Sequence, residues 1–238
     1  MTTATTPAPA EVKASVWEDF LDIFYAPAQV FARRFDGKFG LALLLLVVLT
    51  AVLMYASMQS LEPVYTGEMR RGMMENPNVT PEQVEAMSNS AFGSIMFMAY
   101  AIVGVPIMVL LTGLVLWLVG KLFDSTQTLA QGLMVATYAN FPRLLGALLM
   151  TVQGFLMNFS SADRLYDVTF SLARFAPEGS SELMLAILSR FEVFTIWATI
   201  LLGIGLHVTG RVSKGKAMIA ALIVWVIGAV PVLLGAMR

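Results

Sequence analysis

The sequence contains no cysteine and only one histidine, His207. The first absence excludes disulfides, thiolate metal sites and cysteine nucleophiles. Charge is scarce as well: Asp, Glu, Lys and Arg make up 13% of the chain, about half the usual share in a soluble domain (~25%). A formal net charge of -1 gives nucleic acid no electrostatic footprint to meet. Residues 1–10 have no basic segment followed by an apolar core, so no cleavable signal peptide is expected and the first spanning segment does the targeting. The apolar stretches hold no cluster of metal ligands, no Gly-x-Ser-x-Gly and no paired aspartates, so the chain is expected to be neither an enzyme nor a cofactor carrier.

What the chain has in abundance is hydrophobic sequence, 58% of it. Several uncharged runs reach 18 residues, enough for a helix to cross a ~30 Å hydrocarbon core. The fold class is all-α, an integral membrane protein with five transmembrane helices preceded by an amphipathic interfacial helix. Residues 1–13, small and polar with two prolines, read as a disordered tail. Residues 14–35 form the amphipathic helix. Ser15 and Glu18 supply a capping box, and Trp17, Phe20, Leu21, Phe24, Ala28 and Phe31 recur at helical spacing. Glu18, Asp19, Asp22 and Gln29 are among its polar positions, and Pro27 divides it into two pieces. Such a helix suits the headgroup plane, with Arg33, Arg34 and Lys38 meeting anionic lipid. A soluble helix packed on a partner, or on the protein's own loops, is the other reading.

Residues 36–238 form the membrane domain, with spans at about 39–58, 92–119, 129–157, 191–210 and 217–236. The stretch 61–90 reads as a polar loop, with a helix start at Thr80-Pro81-Glu82-Gln83. Gly104-Val105-Pro106 marks a kink in the second span. The stretch 160–189 reads as a second polar loop, broken at Pro177-Glu178-Gly179-Ser180 into two short surface helices. Lys13, Arg33, Arg34, Lys38, Lys121, Arg211, Lys214 and Lys216 share the amino-terminal side. Arg70, Arg71, Arg164, Arg174, Arg190 and Arg238 lie opposite. The excess, concentrated beside the spans, predicts a cytoplasmic amino terminus and an extracytoplasmic carboxyl terminus in the cell membrane.

Within the third span lies Tyr138-Ala139-Asn140-Phe141-Pro142-Arg143. Proline removes a backbone donor, and an arginine at membrane depth costs at least ~2.5 kcal/mol. Tyr138, Asn140, Pro142, Arg143 and Glu192 therefore form the candidate intramembrane polar site. Arg143 lies ~21 Å along its span, within reach of Glu192 near the outer end of the fourth. That pair lines a path or pocket, or it is purely structural, with Arg143 snorkelling to water. His207, with Asp124 on the same side, is a weaker candidate for a proton relay, against a simple hydrogen bond to a neighbouring helix. Gly203, Gly205 and Gly210 suit close helix packing, and the 16 methionines suit adaptable packing more than Cu(I) binding.

A resemblance joins these features. The chain has an aromatic-Ala-Pro break in Phe24-Tyr25-Ala26-Pro27-Ala28-Gln29-Val30-Phe31, then five spans. Leu129-Ala130-Gln131-Gly132 and a Tyr-x-x-x-Pro follow in the third span, and a basic Gly-Lys turn separates the last two. Over about residues 15–236 this resembles the Yip domain family, membrane proteins named for interaction with Ypt/Rab GTPases, in its bacterial branch. The resemblance implies a five-helix membrane domain with a cytosolic amino terminus. Eukaryotic members carry Asp-Leu-Tyr-Gly-Pro before the first span. Here Ile23-Phe24-Tyr25-Ala26-Pro27 stands in its place, with Asp22 displaced by one position and Ala26 in place of glycine. The expected function is membrane organisation or partner binding, through lipid and a protein partner at the cytosolic face. The alternative is a transporter or permeability factor for ions or small solutes, using Arg143 and Glu192.

Overall fold

Capping residues set the first helix where the sequence places it. In a computed structural model of the chain, Ser15 Oγ accepts from the Glu18 amide (3.2 Å) and Glu18 accepts from the Ser15 amide (2.5 Å). The structure describes residues 15–74, 79–80, 82–83, 95, 98–157, 159 and 164–237. The expected disordered tail, 1–13, lies outside these residues, as does the start of the second span. Helix α1, Val16–Asp22, ends before the Ala26-Pro27 break, and α2, Pro27–Arg33, begins with proline in its first turn.

Among the described residues, five helices are long and apolar enough to cross a membrane. The first is α3, Gly40–Ser60. The second combines a π-helical turn, Tyr100–Gly104, with α5, Val105–Lys121. Pro106 removes a donor just where the π turn ends, which gives the expected irregularity its form. The third span, Leu129–Leu156, is two helices, α6 (Leu129–Ala139) and α7 (Phe141–Leu156), broken at Asn140. The fourth is α9, Val193–Gly210, and the fifth joins α10, Lys214–Ile227, to α11, Val230–Ala236.

The stretch 61–90 is not all loop. Glu62–Met74 forms helix α4, which escapes a search for apolar periodicity because its buried face is so small. Leu61 and Val64 pack with Val168 in a satellite core away from the main one. Thr80 and Gln83 do exchange the two bonds of a capping box (2.9 and 3.3 Å). In the second connection the first half forms 3₁₀ turns at Leu165–Val168 and Leu172–Phe175, and the second forms α8, Glu182–Ser189. Gly179 takes a left-handed φ of +77° at the break between them.

The spans pack in an order set by small residues. A Cβ on Gly113 would lie 2.7 Å from the Leu133 Cα, and one on Gly132 would lie 2.8 Å from the Gly113 carbonyl oxygen. Helices α5 and α6 therefore touch backbone to backbone. Helix α9 packs on α2, α6, α7 and α10, while α3 lies along α7. The main core runs through Leu46, Leu116, Met134, Val135, Leu201 and Leu206, and takes in Ile23, Val30 and Phe31 from the two amino-terminal helices.

Candidate functional site

Two clusters of polar groups sit inside this bundle, one at the amino-terminal side and one at its centre. The first is built on Asp19. Its carboxylate is fully buried, and three groups converge on it. Arg33 Nη2 donates to Oδ1 (2.8 Å), Arg34 Nε to Oδ2 (2.5 Å), and the Tyr138 hydroxyl to Oδ2 (3.3 Å). Helical geometry explains the convergence. The Ala26-Pro27 break folds α2 back along α1, which brings residues 14 and 15 positions apart to one side. Phe20 then stacks edge-to-face on Phe141 (5.2 Å), Phe141 on Tyr138 (5.3 Å), and Phe24 on Trp197 (5.5 Å). The amino-terminal helices are thus docked on the third and fourth spans by a charged knot inside an aromatic shell.

Around this knot the charges tune one another. Asp22 is held below the usual carboxylate range, first by the hydroxyl of Tyr25 and then by Arg33. Burial pulls the Arg33 and Arg34 guanidiniums down, but the aspartates outweigh it, so both end above the ordinary arginine value. Arg33 and Arg34, read from sequence as lipid-facing charges, are occupied within the protein. Helix α1 carries Trp17 and Leu21, and the turn that follows it carries Tyr25, each more than half exposed.

The second cluster begins at the Asn140 break. The Asn140 side-chain amide donates to the Ala136 carbonyl (2.7 Å), satisfying an acceptor that the interrupted helix leaves free. One turn on, Arg143 faces a cavity of about 250 Å³ to which all five spans contribute. Protein surrounds Arg143, yet its side chain keeps free surface because it forms the cavity wall. Its Nη2 reaches the Thr195 hydroxyl at 3.5 Å, the limit of a hydrogen bond. Glu192 is close enough to attract Arg143 electrostatically but does not come within ion-pair distance. It caps α9 instead, accepting from the amides of Phe194 (3.0 Å) and Thr195 (2.7 Å). A backbone bridge between Ser171 and Glu192 fixes it there.

Arg190, which sequence reading treats only as a loop charge, lies in the same wall. Its Nη2 donates to the Trp225 carbonyl (3.1 Å) and its guanidinium covers the Trp225 ring (5.5 Å). Its Nε and the Trp225 Nε1 are buried without an acceptor.

The sequence-derived candidates therefore divide. Asn140 and Arg143 line the central cavity, Glu192 caps α9 without entering its wall, and Pro142 is buried in the first turn of α7. Tyr138 belongs to the amino-terminal knot. His207 hydrogen-bonds through Nδ1 to the Val212 carbonyl (2.6 Å), and no hydrogen bond or ion pair joins it to Asp124, which sits in a left-handed turn (φ +58°). Gly203 meets Met218 of α10 and Gly205 meets Val135 of α6 in close helix packing, while Gly210 meets Ser125 in the connection before α6. No group of three or more His, Cys, Asp or Glu able to hold a metal ion occurs among the described residues.

Comparison with known proteins agrees with this architecture. The sequence matches the Yip1 domain over residues 21–235. It is also 30% identical over 182 residues to membrane protein YknW of Bacillus subtilis (strain 168), covering 76% of this chain and 74% of that relative. No solved structure matches significantly.

Proposed function

The chain belongs to the Yip1 domain family, and from that premise we propose that it is a non-enzymatic protein that organises membrane or binds a partner. The observation that carries this reading is the docked amino-terminal pair. The knot on Asp19 fixes α1 against the bundle, so exposed Trp17, Leu21 and Tyr25 form a pre-positioned ledge, with Trp17 beside the exposed Leu41, Leu44 and Val48 of α3. A ledge held in place loses little conformational freedom when it meets lipid or a partner. In this reading the amino terminus is cytoplasmic, residues 14–35 lie at the headgroup level, and the partner docks on the cytosolic face.

The test uses full-length protein in liposomes and in cells. A photo-crosslinker replacing Leu21 should capture lipid together with one reproducible protein partner, and the liposomes should pass no ion or small solute. The central cavity favours a second reading, a permeability factor. Solute flux abolished by Arg143→Ala, with the fold intact, would overturn the scaffold reading in its favour. Topology is separately testable because the chain has no cysteine of its own. Gly179→Cys should label from outside the cell and Ser213→Cys should not; the reverse pattern overturns the orientation.

A further inference from the structure

The central cavity has a charge balance that the protein itself does not close. Arg143 and Arg190 both line it and repel one another. Among the described residues its wall includes no carboxylate. Glu192, the acid that attracts Arg143, has both oxygens committed to backbone amides. A guanidinium in an apolar setting is stable only with a counter-charge or with water in its place. The hydrogen-bond inventory leans the same way. Arg190 Nε and Trp225 Nε1 are buried donors without acceptors in two residues that line the cavity, and among the described residues the hydrogen bond of Arg143 is its long contact to Thr195. The charged groups of the wall are therefore both cations, and what it lacks is a counter-charge.

Size narrows the class further. At about 250 Å³ the cavity is smaller than the ~300–1,000 Å³ typical of sites that enclose a whole small molecule. It has room for a headgroup-sized anion, and the rest of its lining sets apolar Leu46, Val105, Met108 and Leu202 beside the polar side chains of Thr50, Thr112, Asn140 and Thr199. The location fits as well. Arg190 precedes the fourth span at the end opposite the amino terminus, and Arg143 stands near the middle of the third.

We propose that this cavity is a binding site for a phosphate-class oxyanion, held between Arg143 and Arg190 with the Thr195 hydroxyl. A phosphate diester on an acyl-chain lipid and free inorganic phosphate share this chemistry, and the experiment separates them. Full-length protein in neutral detergent is mixed with equal amounts of phosphatidylglycerol and diacylglycerol, which has the same acyl chains and no phosphate. Retained lipid is read by native mass spectrometry and thermal stabilisation by Trp fluorescence, with inorganic phosphate as a parallel arm. Selective retention of phosphatidylglycerol, with a rise in melting temperature, supports the lipid source. Stabilisation by inorganic phosphate alone supports the free ion.

Arg143→Gln with Arg190→Gln should weaken the effective ligand by about tenfold or more, the scale of losing charged hydrogen bonds, while Arg70→Gln, an exposed charge on the same side, should leave it unchanged. If the double variant does not fold, the unmodified protein still decides: equal retention of the two lipids and no response to phosphate overturns the proposal. Selective binding that survives in a folded double variant overturns it too, because the anion then sits elsewhere.

Discussion

The amino-terminal knot and the central cavity use the same ingredients to opposite ends. Each holds two arginines at the edge of an apolar core, beside aromatic rings. In the knot, one fully buried carboxylate accepts from both guanidiniums and from a tyrosine, so the charges close on themselves. In the cavity, the available carboxylate is turned away to cap a helix, and the two cations face open space. A matched buried pair is costly to break but contributes little beyond position. Unmatched cations are a standing cost that a ligand can relieve. The difference assigns structure to the first region and binding to the second.

That contrast can be broken in four ways. The largest effect should come from removing both arginines of the knot. Arg33→Ala with Arg34→Ala leaves Asp19 buried with only the Tyr138 hydroxyl, and the loss should be about 3 kcal/mol, the low end for a broken buried pair, because Arg33 is itself 34% exposed. Thermal unfolding in detergent measures it, and a loss near zero would mean that the knot does not hold the helices. The cavity should respond with the opposite sign. In detergent free of anionic lipid, Arg143→Met should stabilise the protein by about 1–2 kcal/mol, since it replaces an unmatched charge with apolar bulk. Destabilisation instead would show that Arg143 has a structural partner and would erase the distinction.

Tyr138→Phe is subtler. It removes one long hydrogen bond from a carboxylate that keeps two others, and should cost about 1 kcal/mol, visible as faster hydrogen exchange in α1 with the spans unchanged. The smallest effect is acid sensitivity of the docking. Asp22 is held below its ordinary value by Tyr25 and Arg33, so its contribution is complete above that ordinary value, about 4, and is lost as pH falls through the lowered one. Docking followed by Trp17 fluorescence should be flat from pH 7 to about 5 and weaken only below about 4. Weakening already at pH 6 would point to a different titrating group.

Much of the architecture is legible without the fold. The spans follow from uncharged length, the helix starts at Ser15 and Thr80 from their capping residues, and the irregularities near Pro106 and Pro142 from the missing amide. Helix α4 escapes notice because one valine and a neighbouring leucine carry its packing. The knot escapes for a different reason. Asp19 reads as one acid on the polar side of an amphipathic helix, and only the hairpin at Pro27 turns that side inward. An arginine pair 14 and 15 residues past a lone acid, across a proline, is the signal that could have found it.

The sequence by itself determined the class of molecule, because hydrophobicity and chain length are local sums that survive any arrangement of the helices. It also marked Arg143 as a charge in the wrong solvent. Only the tertiary structure decided which groups answer which charges. Tyr138 and Arg143 are five positions apart in one span, yet the break at Asn140 and the packing around it send the tyrosine to Asp19 and the arginine to the cavity with Arg190. Charge pairing depends on distances of a few ångströms between segments far apart in the chain, and those distances are set by packing.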